Sequence, residues 1–266
     1  MSNNIEEAQL LKANREALVS TLHDLGFNNI SDNTPLSEIA EHMKWAGGLR
    51  DLRLATINKS TGKYSDYSAE EWDVLNASAK ASCVKLGIRI RAEGQDFIIS
   101  KDNIYRENGA TSIPWAPNNS IDVKGLTNYG DGSTGHLSDK DGKGNTDLIL
   151  AHGEANNIKF EAAERARVYK ASTIADGGYE DPTEWSLPAI GQLWLLYKYK
   201  KQINEALTVF FGSSQILIND WYWSSTEYSS SSAWLVFMCN GYVGSNYKTN
   251  TNRVRAVAPV PEAVAI

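Results

Sequence analysis

The spacing of apolar residues predicts two helices at the start of the chain. Leucines recur at helical intervals over residues 5–25, which places an apolar stripe on one face. A second helix is expected to begin at Thr34-Pro35, a capping residue followed by proline, and to end at Gly47-Gly48. The stripe fits either self-association or packing against this second helix. The two helices predict a small helical N-terminal segment over residues 1–50, serving attachment or oligomerisation.

Residues 51–104 are expected to hold a helix and a β-hairpin. The stretch from residue 49 to residue 68 is interpreted as a connection. Ser68 and Glu71 have the spacing of a capping box, which predicts a helix that continues to about Ala81. Two β-rich runs then flank Glu93-Gly94-Gln95, and this pattern predicts a hairpin that leads into the third region.

Residues 105–266 are expected to form the largest region. Turn-forming residues dominate from Asn103 to about Gly153; one helix is predicted over residues 154–171 and another from about Ile190. Strands and loops follow towards the C-terminus. Because helices come first and strands cluster late, the pattern favours an α+β fold over alternating βαβ units.

The run "AWLVFMC" at residues 233–239 has the alternation of a strand. Side chains on one face are expected to be core: Trp234, Val236 and Met238. The opposite face carries Leu235, Phe237 and Cys239. That face is core as well if the strand is buried on both sides. Its Ser- and Asn-rich neighbours favour a binding surface instead, because aromatic and small polar residues together are typical of recognition loops.

Composition narrows the range of partners and locations. The chain has 266 residues and a net charge of −6, which argues against nucleic acid or an anionic membrane surface as the main partner. The first residues are polar and acidic, without the apolar core of a signal peptide, and no apolar run approaches membrane-spanning length. We therefore expect synthesis in a cytoplasm without export through a signal peptide.

Sequence motifs for catalysis or cofactor binding are missing. There is no phosphate-binding glycine motif, no metal spacing among the four histidines and no nucleophile elbow. Cys83 and Cys239 are far apart in sequence and are expected to be free thiols. No catalytic residue and no cofactor are therefore predicted.

The segment "DKDGKGNTD" partly matches a calcium-binding loop. Asp139, Asp141, Asn145 and Asp147 fall at ligand positions, but Lys143 occupies a position that needs an oxygen ligand. Leu150 stands where a bidentate glutamate is required. Since Asp, Asn and Gly clusters commonly build turns, a structural turn is the favoured interpretation, and the four residues remain a weak metal candidate.

Three C-terminal segments together resemble a known family: "EWSLPAIGQLWLL", "WYWSSTEYSSSSAW" and "NRVRAV". They are similar to C-type-lectin-like domains found in gut bacteria and their phages, and more narrowly to the variable proteins of diversity-generating retroelements. The resemblance covers about residues 105–266 and is most specific over residues 185–258. It implies a C-type-lectin-like ligand-binding domain with a variable region at about residues 219–255.

In that family a reverse transcriptase randomises adenines, so AAC and AAT codons become codons that end in a pyrimidine. Such codons cannot encode Trp, Met or Lys, which matches Trp234, Met238 and Lys248 as fixed positions. The resemblance implies variable, ligand-binding residues at Ser231, Ser232, Leu235, Phe237, Cys239, Asn240, Tyr242, Gly244, Ser245, Asn246 and Tyr247.

Other residues of this region are expected to be structural scaffold. They are Trp185, Trp223, Trp234, Val236, Met238, Arg253 and Arg255. The two arginines, with Glu227, are expected to form charge-assisted hydrogen bonds at the strand ends. The Glu-Pro-Asn or Gln-Pro-Asp triplet of calcium-dependent sugar-binding lectins is missing, so calcium-mediated sugar binding is not expected.

The resemblance implies a phage or prophage tail protein, located in the virion, that recognises a bacterial surface protein or glycan. Tail or virion proteins would bind the N-terminal segment, and a homotrimer would raise avidity. One alternative is a bacterial adhesin or lectin with a fixed ligand. Another is an oxidase of the formylglycine-generating type, which has a related fold but needs a reactive cysteine pair.

Overall fold

The computed structural model describes residues 12–17, 19, 20, 31, 33, 48–130, 135–174 and 179–261. The chain divides into two compact units, Met1–Asp51 with Ile90–Asp96, and Leu52–Arg89 with Phe97–Ile266. Residues 12–17 and 19–20 are helical, as expected for that part of the chain. The helix predicted from Thr34 lies outside the described residues.

Ten strands have defined bounds: β1 Leu49–Asn58, β2 Tyr64–Tyr67, β3 Cys83–Ala92, β4 Gln95–Ser100, β5 Ile113–Pro114, β6 Trp221–Glu227, β7 Ser232–Phe237, β8 Val243–Tyr247, β9 Thr251–Asn252 and β10 Val257–Pro259. Among the described residues after position 48, the helices are α1 Ala69–Val74, α2 Ala77–Ala81, α3 Gly142–Asn156, α4 Glu161–Arg167, α5 Ile190–Lys198 and α6 Lys200–Phe211. Short 3-10 turns with defined bounds lie at His136–Ser138 and Ser213–Gln215. The combination of helices with antiparallel sheets is the predicted α+β class.

The larger sheet has the strand order β10-β4-β3-β1-β2. Its β3–β4 connection confirms the predicted hairpin, because Glu93 and Gly94 both have positive φ, of 49° and 74°, as a tight hairpin turn requires. The β1–β2 hairpin was not predicted, and the interpretation of residues 49–68 as a connection is wrong. Four strands of this sheet precede residue 101, so the expectation that strands cluster late is wrong as well.

Local capping decides where the helices begin and end. Ser68 and Glu71 form the predicted capping box, but the helix stops at Val74 because Asn76 caps a new one, α2. Helix α3 starts inside the segment predicted to be turns and ends at Asn157, which adopts the left-handed conformation. That residue also separates α3 from α4, where one continuous helix was predicted.

A three-stranded sheet, β6-β7-β8, lies beside helix α5 and presents the C-terminal strands. Its inner side joins a core rich in large aromatic residues, among them Trp115, Trp185 and Trp223, all essentially buried. Within the described part of the chain, no helix has the length and apolar character needed to cross a bilayer.

Candidate binding surface

The register of the small sheet sets which side chains share a face. Trp221 and Trp223 of β6 pair with Phe237 and Leu235 of β7, and Leu235 in turn pairs with Gly244 of β8. A bulge interrupts the β6–β7 pairing between Trp223 and Glu227. Trp221 and Trp223 therefore lie on the same face of the sheet as Phe237 and Leu235, the face predicted to contact a ligand.

Burial changes steeply across this sheet. Every residue of β6 except Trp221 is buried, and every residue of β7 except Phe237 is buried. The edge strand β8 has no buried residue. The exposed surface therefore begins at the end of β7, continues through the turn at residues 238–242 and runs along β8.

Three aromatic rings form a cluster at the start of that surface. The rings of Trp221 and Phe237 stack with centroids 4.8 Å apart, and Tyr242 stands edge-on to Trp221 at 6.0 Å. Such offset and edge-to-face geometries are the favourable ones for aromatic pairs. Tyr242 is 62% exposed while Trp221 and Phe237 are half-buried, so solvent reaches the cluster mainly at Tyr242.

The turn that carries Tyr242 is held by several contacts. Gly241 donates from its amide to the carbonyl of Phe237 at 2.8 Å, and its φ of 77° needs the freedom of glycine. A Cβ at Gly241 would lie 2.1 Å from the ring of Tyr197 on α5. Lys200 donates to the carbonyl of Met238 at 2.6 Å. The turn backbone is therefore tied to the helices, whereas Cys239 and Asn240 are exposed at its tip.

Polar groups continue the surface along β8. Tyr247 is 58% exposed, and its amide donates to the side-chain oxygen of Asn246 at 2.9 Å. Asn250 donates to that same oxygen at 2.6 Å. Amide side chains next to exposed tyrosine rings offer both hydrogen bonds and apolar contact to a ligand.

The predicted variable residues fall into three groups by burial. The exposed ones are Cys239, Asn240, Tyr242, Ser245 and Tyr247, and the half-buried ones are Ser231, Phe237, Gly244 and Asn246. Ser232 and Leu235 are buried. Leu235 is only 2% exposed and belongs to the core cluster with Trp223, because the face on which it lies is covered at that point of the strand.

The predicted scaffold residues are placed as follows: Trp185, Trp223, Val236, Met238 and Arg255 are fully buried, Trp234 is 8% exposed and Arg253 is half-buried. Trp234 stacks on His136 at 4.2 Å and donates from its indole to the carbonyl of Tyr129. Arg255 donates to the carbonyls of Ser100 and Gln215, at 2.9 and 2.8 Å. It therefore holds three chain segments together.

Glu227 has a partner that sequence reasoning missed. Arg253 pairs with Asp220 at 2.7 Å, and neither arginine pairs with Glu227 as expected. Instead, Glu227 forms a fully buried ion pair with Lys248, whose ammonium also donates to the carbonyl of Ile121 at 2.5 Å. Burial raises the pKa of Glu227 and lowers that of Lys248, while their mutual attraction opposes both shifts. The signal available in the sequence was a lysine inside an otherwise variable segment.

The weak metal candidate is the start of helix α3. Asp141 caps the helix by accepting from the amide of Gly144 at 2.8 Å, and Asp139 accepts from Asn145 at 2.8 Å. Asp147 pairs with Lys143 and Arg167 instead. Among the described residues, no group of three or more His, Cys, Asp or Glu could hold a metal ion.

The two cysteines do not bond to each other. Cys83 is half-buried at the start of β3, and Cys239 is exposed on the turn beside the aromatic cluster. Both are therefore free thiols in this structure.

A family model described as the Lcl C-terminal domain matches residues 115–258, more than half of the chain. This match confirms the resemblance to the C-type-lectin-like variable proteins of diversity-generating retroelements and supports a binding, adhesin-like protein.

A fimbrial protein from Bacteroides ovatus ATCC 8483 is similar at 16% identity with a TM-score of 0.38, over 78% of this chain and 33% of that one. The chain thus spans about a third of the length of that protein. Comparison with curated proteins finds no match.

Proposed function

Because the chain belongs to the Lcl C-terminal domain family, we propose that it is a receptor-binding protein that contacts its ligand through β8 and the turn at residues 238–242. The observation that carries the proposal is the partly exposed aromatic cluster of Trp221, Phe237 and Tyr242 beside small polar side chains. Binding occurs through shape, aromatic contact and hydrogen bonds, without covalent chemistry.

The division between buried and exposed residues supports a diversified surface. Side chains at Cys239, Asn240, Tyr242, Ser245 and Tyr247 project from a backbone that buried neighbours hold in place. Replacing such side chains changes the ligand contacts without opening the core. The surface therefore accepts many sequences on one fold, which is what repeated diversification requires.

The proposed setting is a phage or prophage tail, with a bacterial surface protein or glycan as the ligand. Residues 1–50 would attach the domain to other tail or virion proteins. A homotrimer would present three copies of the surface, and linked copies raise avidity by about 100-fold or more over a single site. Weak contacts made by one copy then suffice for attachment.

A cell-binding assay tests the proposal. Labelled protein is incubated with a panel of bacterial strains, and bound protein is measured by flow cytometry. The double variant Tyr242→Ala, Tyr247→Ala should lose binding to every strain that the unchanged protein binds. Tyr105→Ala is the matched control, since Tyr105 is 40% exposed and lies outside the small sheet. Equal binding by the double variant and the control would refute the proposed surface.

A genomic observation separates this proposal from a fixed-ligand adhesin. Diversification requires a near-identical copy of the segment that encodes residues 219–255, rich in adenine at the variable codons and next to a reverse transcriptase. If no such copy exists, the same surface serves a fixed ligand and the tail assignment loses its support.

A further inference from the structure

A cavity lined by several lysines lies away from the proposed binding surface. It has a volume of about 350 Å³, and none of its lining residues belongs to β6, β7 or β8. Small-molecule sites commonly measure about 300–1,000 Å³. The cavity is therefore large enough for a small ligand.

Two of the three lysines that line the cavity have no acidic partner among the described residues. Lys59, Lys85 and Lys101 line the cavity, and no aspartate or glutamate does. Lys101 pairs at 2.5 Å with Asp102, which lies outside the lining. For Lys59 and Lys85, no ion pair is formed with any described residue. In a chain whose net charge is −6, this cluster is an exception, and it attracts anions.

Lys85 is held in an environment that suits an anion-binding group. Its ammonium donates to the carbonyl of Phe210 at 3.0 Å and lies 5.3 Å from the ring centroid of Trp72 and 5.7 Å from that of Phe211. Burial, together with the nearby cation of Lys80, lowers the pKa of Lys85. A half-buried cation without an acidic partner is stabilised when an anion replaces the lost water.

The remaining lining is mostly apolar. Val84, Ala171, Phe210 and Phe211 supply aliphatic and aromatic surface, Cys83 adds a thiol and Ser172 a hydroxyl. The Ser172 hydroxyl donates to the carbonyl of Tyr179 at 2.9 Å, so its oxygen lone pairs remain available to accept a hydrogen bond. The Lys85 ammonium lies next to the Phe210 carbonyl and the Phe211 ring, so the same lining offers both charge and aromatic surface, which favours a ligand with both characters.

We propose that this cavity binds a small organic anion, in which a carboxylate, sulfate or phosphate head faces Lys59, Lys85 and Lys101 and an apolar or aromatic body packs on Phe210 and Phe211. The three head groups share the same chemistry of recognition by ammonium groups. The site is independent of the receptor-binding surface, so either can fail without the other.

Isothermal titration calorimetry of the full chain tests the site with five probes: phenyl phosphate, phenyl sulfate, phenylacetate, benzyl alcohol and inorganic phosphate. At least one aromatic anion should bind saturably, with a Kd at or below about 1 mM, whereas the uncharged alcohol and inorganic phosphate should bind about tenfold more weakly. The tightest of the three anions identifies the head group. Failure of all three to bind saturably would overturn the proposal.

Variants locate the binding. Lys85→Met keeps the aliphatic stem and removes the charge, and it should weaken aromatic-anion binding about tenfold, while Lys85→Arg should retain it. Phe211→Leu should weaken the aromatic anions but leave inorganic phosphate unchanged. Lys124→Met is the control, since Lys124 is exposed and does not line the cavity. Unchanged binding by a folded Lys85→Met variant would contradict the assignment.

Discussion

Two neighbouring parts of the small sheet differ in how deeply their side chains are buried. Strands β6 and β7 bury nearly every residue, including polar Ser224, Ser225 and Glu227, whereas half of the residues of β8 and of the turn at residues 238–242 are exposed. The strands are paired in both parts, with one bulge between β6 and β7, and hydrogen bonds hold the turn. The contrast shows that a backbone can be fixed where its side chains are exposed. Strands β6 and β7 supply stability, whereas β8 and the turn expose side chains to solvent.

Breaking the buried ion pair between Glu227 and Lys248 should cause the largest loss in the free energy of unfolding. Lys248→Met leaves the Glu227 carboxylate buried without its partner, which should lower the free energy of unfolding by about 3–5 kcal/mol. Urea denaturation measures this value, and Lys124→Met, an exposed lysine, should change it by less than about 0.5 kcal/mol.

The pH dependence of that variant follows from the same burial. Burial raises the pKa of Glu227 in the folded state, so the folded protein holds the proton more tightly than the unfolded chain. Stability from protonation is therefore present below the unfolded pKa of about 4.3 and is lost as pH rises through the folded pKa. The deficit of Lys248→Met should shrink towards acidic pH. A deficit that stays constant with pH would show that the carboxylate is not its source.

Trp234→Ala should cause the next largest loss in the free energy of unfolding. The substitution removes a ring that packs on His136 and Tyr228 and leaves the carbonyl of Tyr129 without its indole donor. Because the side chain is nearly buried, we expect a loss of about 3 kcal/mol in the free energy of unfolding. If the free energy of unfolding changed as little as for an exposed tyrosine, Trp234 would belong to the exposed binding surface and not to the scaffold.

Gly241→Ala tests whether the turn is fixed although its neighbours are exposed. Alanine there meets both an unfavourable φ and the ring of Tyr197, so a loss of about 2–3 kcal/mol is expected. Gly109→Ala is the control: its φ is 82°, but no atom lies within 4 Å of the added Cβ. The free energy of unfolding of Gly109→Ala should fall by the backbone cost alone. Equal losses in the free energy of unfolding for both variants would show that the contact with Tyr197 does not contribute.

Tyr247→Ala should have the smallest effect on stability. The side chain is mostly exposed, so the free energy of unfolding should change by less than about 0.5 kcal/mol, measured by urea denaturation. Phe237→Ala should fall between this variant and Trp234→Ala, because Phe237 is half-buried and stacks on Trp221. A larger loss for Tyr247 than for Phe237 would reverse the proposed gradient of burial.

Local sequence signals predicted several elements well. The Ser68–Glu71 capping box and the Glu93-Gly94 turn involve neighbouring residues, so short-range chemistry specifies them. The β1–β2 hairpin has no such tight-turn signal. Its connection depends on the Asn58 side chain, which accepts from the amides of Ser60 and Thr61. Its strands are fixed by distant partners in the sheet, which a local pattern does not reveal.

The strand that carries part of the candidate site was predictable from the sequence, but the burial of its individual residues was not. Alternation along β7 placed Leu235 and Phe237 on one face correctly, yet Leu235 is covered and Phe237 is not. That difference arises because the face also holds Trp223, which packs into the core beside Leu235. The Lys248–Glu227 pair joins residues 21 positions apart through a turn, so only the fold brings them together.

A substitution scan of residues 221–247 tests the central contrast most directly. A library of single variants is displayed on yeast and scored by resistance to protease, which reports folding for each substitution. We expect broad tolerance at Cys239, Asn240, Tyr242, Ser245 and Tyr247, and intolerance at Trp223, Trp234, Val236 and Met238. Equal tolerance in the two groups, or intolerance at the exposed positions, would contradict the separation of scaffold from presented surface.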